Sequence, residues 1–117
     1  MPQIDSKQEG DVLVLKFTDA QILDEGKIEE MGDELMKIVE HCEEKKLLLN
    51  FAEVQFMSSA VLGKLIKINK ICGDREVHLK FCDIAKDLLQ VFKITRLDKV
   101  FDIQASEAKA LAAFAKL

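Results

Sequence analysis

Two adjacent serines, Ser58 and Ser59, stand in "FMSSAVLG" between an apolar segment and a run with helical spacing, and their hydroxyls are the first groups to test for chemistry. A serine nucleophile needs a general base, and the strained turn that presents one usually reads G-x-S-x-G. Those glycines are missing, and the chain holds only two histidines, His41 and His78. His41 lies near the end of an acidic helical run and His78 on the polar alternation of a strand, so both read as surface residues. No G-x-x-x-x-G-K-[ST] run exists to cradle a phosphate. Carboxylates are plentiful between residues 24 and 44, but their spacing follows solvent exposure rather than convergence on a cleft. Cys42, Cys72 and Cys82 are odd in number and lack CxxC spacing, so they read as reduced, packed thiols in a cytosolic protein. The sequence predicts no enzyme, no metal site and no cofactor.

What remains at the serine pair is local physics. Both residues fall where a helix should begin, and serine is a favoured N-cap because its hydroxyl accepts from an otherwise unpaired backbone N–H. Capping explains one serine but not two. A phosphate at this position is favoured by the helix N-terminus, and its added negative charge can repel a partner without reshaping the fold. Lys64, Lys67 and Lys70 follow at steps of three along the exposed side of the same helix. They are either solvated lysines or the flank of a docking surface for an acidic partner.

The elements that must position this pair are legible from periodicity. "DVLVLKF", residues 11–17, is a strand, and the preceding "QIDSKQ" pairs with it as a hairpin across Glu9 and Gly10. From Asp24 to Glu44, Ile28, Met31, Leu35, Ile38 and Cys42 recur at three- and four-residue steps opposite an acidic face, which predicts an amphipathic helix. That face is either solvated or turned to a partner. "KLLLNF" is continuous and apolar, as suits a strand covered on both faces. A second helix is expected from Ser59 to Cys72, stopping near Gly73. "EVHLKFC" alternates Val77, Leu79 and Phe81 against His78 and Lys80. Residues 83–92 form a short helix with Ile84, Leu88, Val91 and Phe92 inward, "KVFDI" a last short strand, and Ser106 to Leu117 a terminal helix capped by Ser106.

The 117 residues suffice for one domain, expected to span 1–117, with a core of Leu, Ile, Val, Phe and Ala. A net charge of −4 argues against a general nucleic-acid binder. No apolar run approaches the roughly 20 residues needed to cross a bilayer, and no basic start is followed by an apolar leader, so the default location is the cytoplasm. The element order implies an α/β layer: a mixed sheet opening with a hairpin and packed by about four helices.

With these elements in place, the chain resembles a STAS domain of the kind found in bacterial anti-sigma factor antagonists. The resemblance runs from the hairpin around "GDVLVLKF", through "LLLNFAEVQFMSSAVLGKLIKINK", to "VFKITRLDKVFDIQASEAKAL". In the family's central motif, Asn50 stands at the first aspartate, Phe56 and Met57 at the apolar lead-in, and Ser58 at the second aspartate. Ser59 stands at the phosphorylatable serine, Ala60 at the small Ser/Thr site, Val61 at the glycine, and Leu62 with Gly63 at the end. The resemblance implies a partner switch. Unphosphorylated, the domain binds an anti-sigma factor that is also a serine kinase, freeing a sigma factor; phosphorylated at Ser59, it lets go. Transcription is then regulated indirectly, and the kinase supplies ATP and Mg²⁺.

Ser58 enters this reading as cap or second phosphate acceptor, and Ser58, Ser59, Ala60, Val61, Lys64 and Lys67 as the partner-facing residues. Two other readings stay open: a STAS domain that docks constitutively, its serines serving only as caps, and a sensor domain for a nucleotide or lipid. A homodimer is compatible with the sequence, although no exposed apolar stripe predicts one.

Overall fold

The computed structural model describes residues 4–117. β1 (Ile4–Glu9) and β2 (Val12–Phe17) form the expected antiparallel hairpin, with Ile4 opposite Phe17 and Glu9 opposite Val12. Gly10 takes φ +60° in its turn, a conformation that costs glycine nothing. Gln3, at the head of the segment expected to pair, lies outside the described residues. The chain continues through β3 (Gln21–Ile22), α1 (Glu25–Glu40), β4 (Lys46–Asn50), β5 (Phe56–Met57), α2 (Ser59–Asp74) and β6 (His78–Cys82). It ends with α3 (Lys86–Ile94), a 3₁₀ turn (Leu97–Lys99), β7 (Ile103–Gln104) and α4 (Glu107–Ala115).

The main sheet has the order β1-β2-β4-β6-β7, antiparallel only at the hairpin and parallel elsewhere. It is therefore the mixed sheet the element order implied. β3 and β5 make a separate parallel pair of two residues each. Because parallel strands are covered on both faces, β4 reads as an unbroken apolar run, and Leu47, Leu48 and Leu49 have no exposed surface. Leu47 and Leu49 join the core made with α1 and α2, which includes Ile28, Met31, Leu35, Leu65 and Ile68. Leu48 points the other way, where Val12, Val14 and Cys82 meet Ala110 and Phe114 of α4. A chain of phenylalanine rings, Phe17 to Phe51 at 5.0 Å, Phe51 to Phe81 at 5.2 Å and Phe81 to Phe101 at 4.6 Å, fills the first core across the strands.

Several sequence expectations shift. Lys80 was expected on a polar face, but α4 covers that face, and Lys80 is buried. Its ammonium pairs with Asp102 and lies 5.2 Å from the Phe114 ring centre. α1 stops at Glu40, four residues short of Glu44, with His41 as its C-cap. α2 runs through Gly73 and closes at Glu76, which takes φ +61° while Val77 N–H donates to the Cys72 carbonyl at 2.8 Å. In α3 only Leu88 and Phe92 are fully buried; Val91, expected inward, is 40 % exposed because a nine-residue helix seats one narrow side on the core. "KVFDI" is mostly turn, since Arg96 enters it at φ +63° and the strand begins only at Ile103.

The three cysteines are free and buried, as expected. Burial pushes the Cys72 thiol up to about 11 and raises Cys42 and Cys82 as well, so the thiolate is disfavoured at each.

β4 ends on a buried polar junction. Asn50 Oδ1 accepts from the Ala52 N–H at 2.8 Å, while its Nδ2 donates to Glu107 Oε1 at 3.0 Å and to Asp83 Oδ2 at 3.4 Å. Asp83 Oδ2 also accepts from the Glu107 N–H at 3.0 Å, and Glu107 Oε2 accepts from Lys7 at 3.0 Å. Burial would raise the Glu107 carboxyl, but the donors Lys7 and Asn50 outweigh it and hold that carboxyl below its usual range. An aspartate at position 50 would lose both donor bonds and add a third carboxylate. Asn50→Asp should cost about 3 kcal/mol at pH 7. The new carboxyl would have a raised folded-state pKa, so its ionisation penalty grows as pH rises above the usual carboxylate range and vanishes below it. Urea unfolding of both proteins should therefore show a larger gap at pH 7 than at pH 4; an equal gap would refute this account.

Candidate functional site

Phe56 and Met57 lead into the serine pair, and this approach is fixed by backbone bonds to the β3 segment. The N–H groups of Gln55 and Phe56 donate to the Ala20 carbonyl at 2.8 and 3.1 Å, and the Ser58 N–H donates to the Ile22 carbonyl at 3.0 Å. Ser58 is the N-cap of α2 by backbone geometry, with φ −77° and ψ 164°, and its carbonyl accepts from the Val61 N–H at 3.0 Å. Its side chain does not cap. The Ser58 hydroxyl oxygen is buried without a hydrogen-bond partner, which corrects the expectation that this hydroxyl satisfies the helix end. The genuine side-chain caps lie elsewhere, at Asp24, which accepts from Lys27 N–H at 3.0 Å, and at Ser106, which accepts from Lys109 N–H at 3.2 Å.

Ser59 and Ala60 are exposed in the first turn of α2, where a helix leaves backbone donors free. The two serines are thus inequivalent, one hydroxyl turned into the fold and one residue presented to solvent. Val61, expected to face a partner, is instead 1 % exposed. It begins the inward series Val61, Leu65, Ile68 and Cys72, whose steps of four, three and four set it against the core.

The basic row divides in the same way. Lys64 lays its stem over Gly32 of α1, where an added Cβ would come within 3.2 Å of the lysine Cδ, and its ammonium meets Glu29 at 2.9 Å. In the free domain its ammonium is thus paired across to α1, and its stem covers Gly32. Lys67 and Lys70 are exposed and make no ion pair among the described residues.

An apolar rim beside the serines escaped the sequence reading. Leu23 is 53 % exposed just after β3, and Phe56 is 56 % exposed on β5. Ile22 stands beside Met57, so Leu23 and Ser58 leave the β3–β5 pair at the same end. Phe56 and Met57 also line a hollow of about 210 Å³ with Gln55, Asp87, Leu88 and Val91, which joins the rim to α3. Ile94, one turn beyond Val91, is 80 % exposed. Phe56 and Leu23 sit in segments too short to show a period, so only the three-dimensional arrangement reveals them. Val91 and Ile94 were readable in principle, since an inward pair at Leu88 and Phe92 leaves both on the flank.

The histidines stand at the other end of the sheet. His78 opens β6 beside Lys46, and His41 closes α1 just before β4, whereas the serines follow the end of β4. Neither histidine is placed to serve as a base for Ser59. Among the described residues no group of His, Cys, Asp or Glu side chains could hold a metal ion, and no helix is long and apolar enough to cross a membrane.

Removing the buried, unpartnered hydroxyl should cost nothing. Ser58→Ala is expected to leave stability unchanged or to raise it, whereas Ser106→Ala should lose about 1 kcal/mol with its capping bond. Thermal unfolding of the two variants decides this, and a loss at Ser58 equal to that at Ser106 would show that the Ser58 hydroxyl is partnered.

The fold recurs among solved proteins. A STAS domain protein from Planctomyces limnophilus is similar at TM-score 0.82 with 20 % identity, over 96 % of this chain and 97 % of that one. An anti-sigma factor antagonist from Mycobacterium paratuberculosis is similar at TM-score 0.82 with 19 % identity, over 94 % and 91 %. The anti-sigma factor antagonist SpoIIAA is similar in its unphosphorylated form, at TM-score 0.78 with 13 % identity over 97 % of each chain. The phosphorylated form of SpoIIAA, from Bacillus, is similar at TM-score 0.70 with 12 % identity, over 95 % and 98 %. At these identities the likeness is one of fold. The sequence itself matches the STAS domain family over residues 3–110, and the chain belongs to that family.

Proposed function

We propose that residues 1–117 form a single STAS domain that acts as an anti-sigma factor antagonist-like binding module, switched by phosphorylation of Ser59. The observation that carries this reading is the inequivalence of the two serines. Ser59 is exposed at the start of a 16-residue helix beside an exposed apolar rim, while the Ser58 hydroxyl is turned into the fold. A kinase can reach the first residue and not the second without local opening. The partner is an anti-sigma factor that is also a serine kinase, and it supplies ATP and Mg²⁺. It docks on the first turn of α2 and on Leu23, Phe56 and Val91, so that binding removes apolar surface from water. Phosphate on Ser59 places about two negative charges at the edge of this contact, and desolvating them opposes docking. The similarity to SpoIIAA, whose structure is known in both phosphorylation states, supports the reading. On this reading the chain works in the cytoplasm and its effect on transcription is indirect.

The chain works by binding rather than catalysis, a reading supported by the distance along the sheet between its histidines and its serines. Incubated with its cognate kinase and ATP, the protein should gain one phosphate, located by peptide mass spectrometry on Ser59 and retained in Ser58→Ala. Ser59→Glu should weaken the partner complex at least tenfold, and Phe56→Ala should weaken it without altering phosphorylation of the free domain by a second kinase. A complex indifferent to Ser59→Glu would overturn the switch and leave a constitutive docking domain.

A further inference from the structure

The two edges of the main sheet are managed differently. β7 closes one side with only two residues, as short edge strands do to avoid pairing with another chain. β1 closes the other with six residues in unbroken register, without proline or bulge, and all but Ile4 are exposed. Its outward backbone edge has no strand beside it among the described residues. Such an edge is normally blunted by charge, so the pattern of its charges decides what it can pair with.

Asp5, Lys7 and Glu9 stand opposite Lys16, Val14 and Val12, and so they share the face of the sheet that carries α4. On β1 they alternate in sign. We propose that β1 is a self-association edge, pairing antiparallel with β1 of a second copy of this chain about a two-fold axis at Ser6. In that register Asp5 lies opposite Lys7 of the second copy, Lys7 opposite Asp5, and Ile4 opposite Gln8, so both charged pairs are attractive on the same face. Neighbouring same-face registers are rejected. An axis at Lys7 sets lysine on lysine and Asp5 against Glu9, and an axis at Asp5 sets aspartate on aspartate. An axis at Gln8 would pair Lys7 with Glu9, but over a shorter overlap.

Lys7 is already held by Glu107 at 3.0 Å and Glu9 at 3.5 Å, with half of its side chain still exposed. The carboxylate of Asp5 from the second copy completes this cluster rather than replacing it. A C₂ contact of this kind joins two five-stranded sheets into one of ten strands. It lies on the opposite side of β2 from the remaining strands and does not use α2, so the pair carries two free Ser59 surfaces. The proposal is independent of whether Ser59 is phosphorylated.

Sedimentation equilibrium from micromolar to submillimolar protein tests it, with amide hydrogen exchange across β1 as the second readout. The protein should dimerise with rising concentration, and exchange at alternate β1 amides should slow in parallel. Asp5→Lys and Lys7→Glu should each weaken the dimer about tenfold or more, because two attractive pairs become repulsive. The double variant Asp5→Lys/Lys7→Asp should restore it, and thermal melts identify any variant that fails through misfolding rather than through lost pairing. A monomer at every concentration would overturn the proposal. So would a dimer that ignores Asp5→Lys, since only the Ser6-centred register brings Asp5 opposite a lysine.

Discussion

The burial of β4 on both faces is the constraint from which the rest of the architecture follows. Three successive leucines with no exposed surface cannot be covered by helices on one side alone. Leu47 and Leu49 require α1 and α2, and Leu48 requires α4. Once these layers are seated, the strand must stop where the layers stop, and Asn50 ends it by binding the first turn of α4 through Glu107 and the end of β6 through Asp83. The backbone then leaves the sheet, is stitched to β3, and enters α2 at Ser58. Ser59 reaches solvent because everything before it is anchored, not because the segment is loose.

Burying a hydroxyl without a partner costs about 1–3 kcal/mol, yet the chain retains one at Ser58. The packing on α2 offsets this, since Val61, Leu62, Leu65, Ile68 and Cys72 are all buried. Fully burying such an aliphatic side chain contributes about 1.5–3 kcal/mol. The helix therefore forms without a side-chain cap, and the orphan group marks a place where local rules give way to packing. Buried polar groups without partners are rare and gather where function competes with stability. The Lys64–Glu29 pair adds little by comparison. Its glutamate is two-thirds exposed, and pairs of that kind contribute about 0–1 kcal/mol. The stem of Lys64 on Gly32 matters more, because it sets how closely α1 and α2 approach.

The inward face of α1 is legible from its three- and four-residue steps, β2 from its apolar and β-branched content, β4 from its unbroken apolar run and β6 from its alternation. Where periodicity failed, it did so for identifiable reasons. Alternation placed Lys80 outward on the assumption that one face of the sheet meets water, an assumption void once α4 covers that face. Val61 was assigned to a partner surface by its place in the family motif, although its spacing to Leu65 and Ile68 already put it in the core. Ser58 is expected as cap or second phosphate acceptor beside Ser59 as the switch, but its hydroxyl does neither from where it lies. Ser58 is the extended N-cap and Ser59 the first helical residue, and this change of backbone conformation is enough to bury one hydroxyl and present the other residue. The rim at Leu23 and Phe56 is built from segments of two residues each, which no periodicity can resolve.

The placement of the lysines bears on how charge at Ser59 would act. Lys67 lies eight residues along the helix, about 12 Å from Ser59 at 1.5 Å per residue, and Lys70 lies further still. That exceeds the Debye length of about 8 Å at physiological ionic strength, so neither can neutralise a phosphate on Ser59 effectively. Lys64 is nearer and shares its charge with Glu29. The first turn contains no acidic residue to repel the phosphate either, and the free amides of α2 favour it. Charge added at Ser59 is therefore tolerated by the fold without being quenched by it. Its cost falls on whatever would otherwise lie against Leu23 and Phe56, which must desolvate that charge in order to bind.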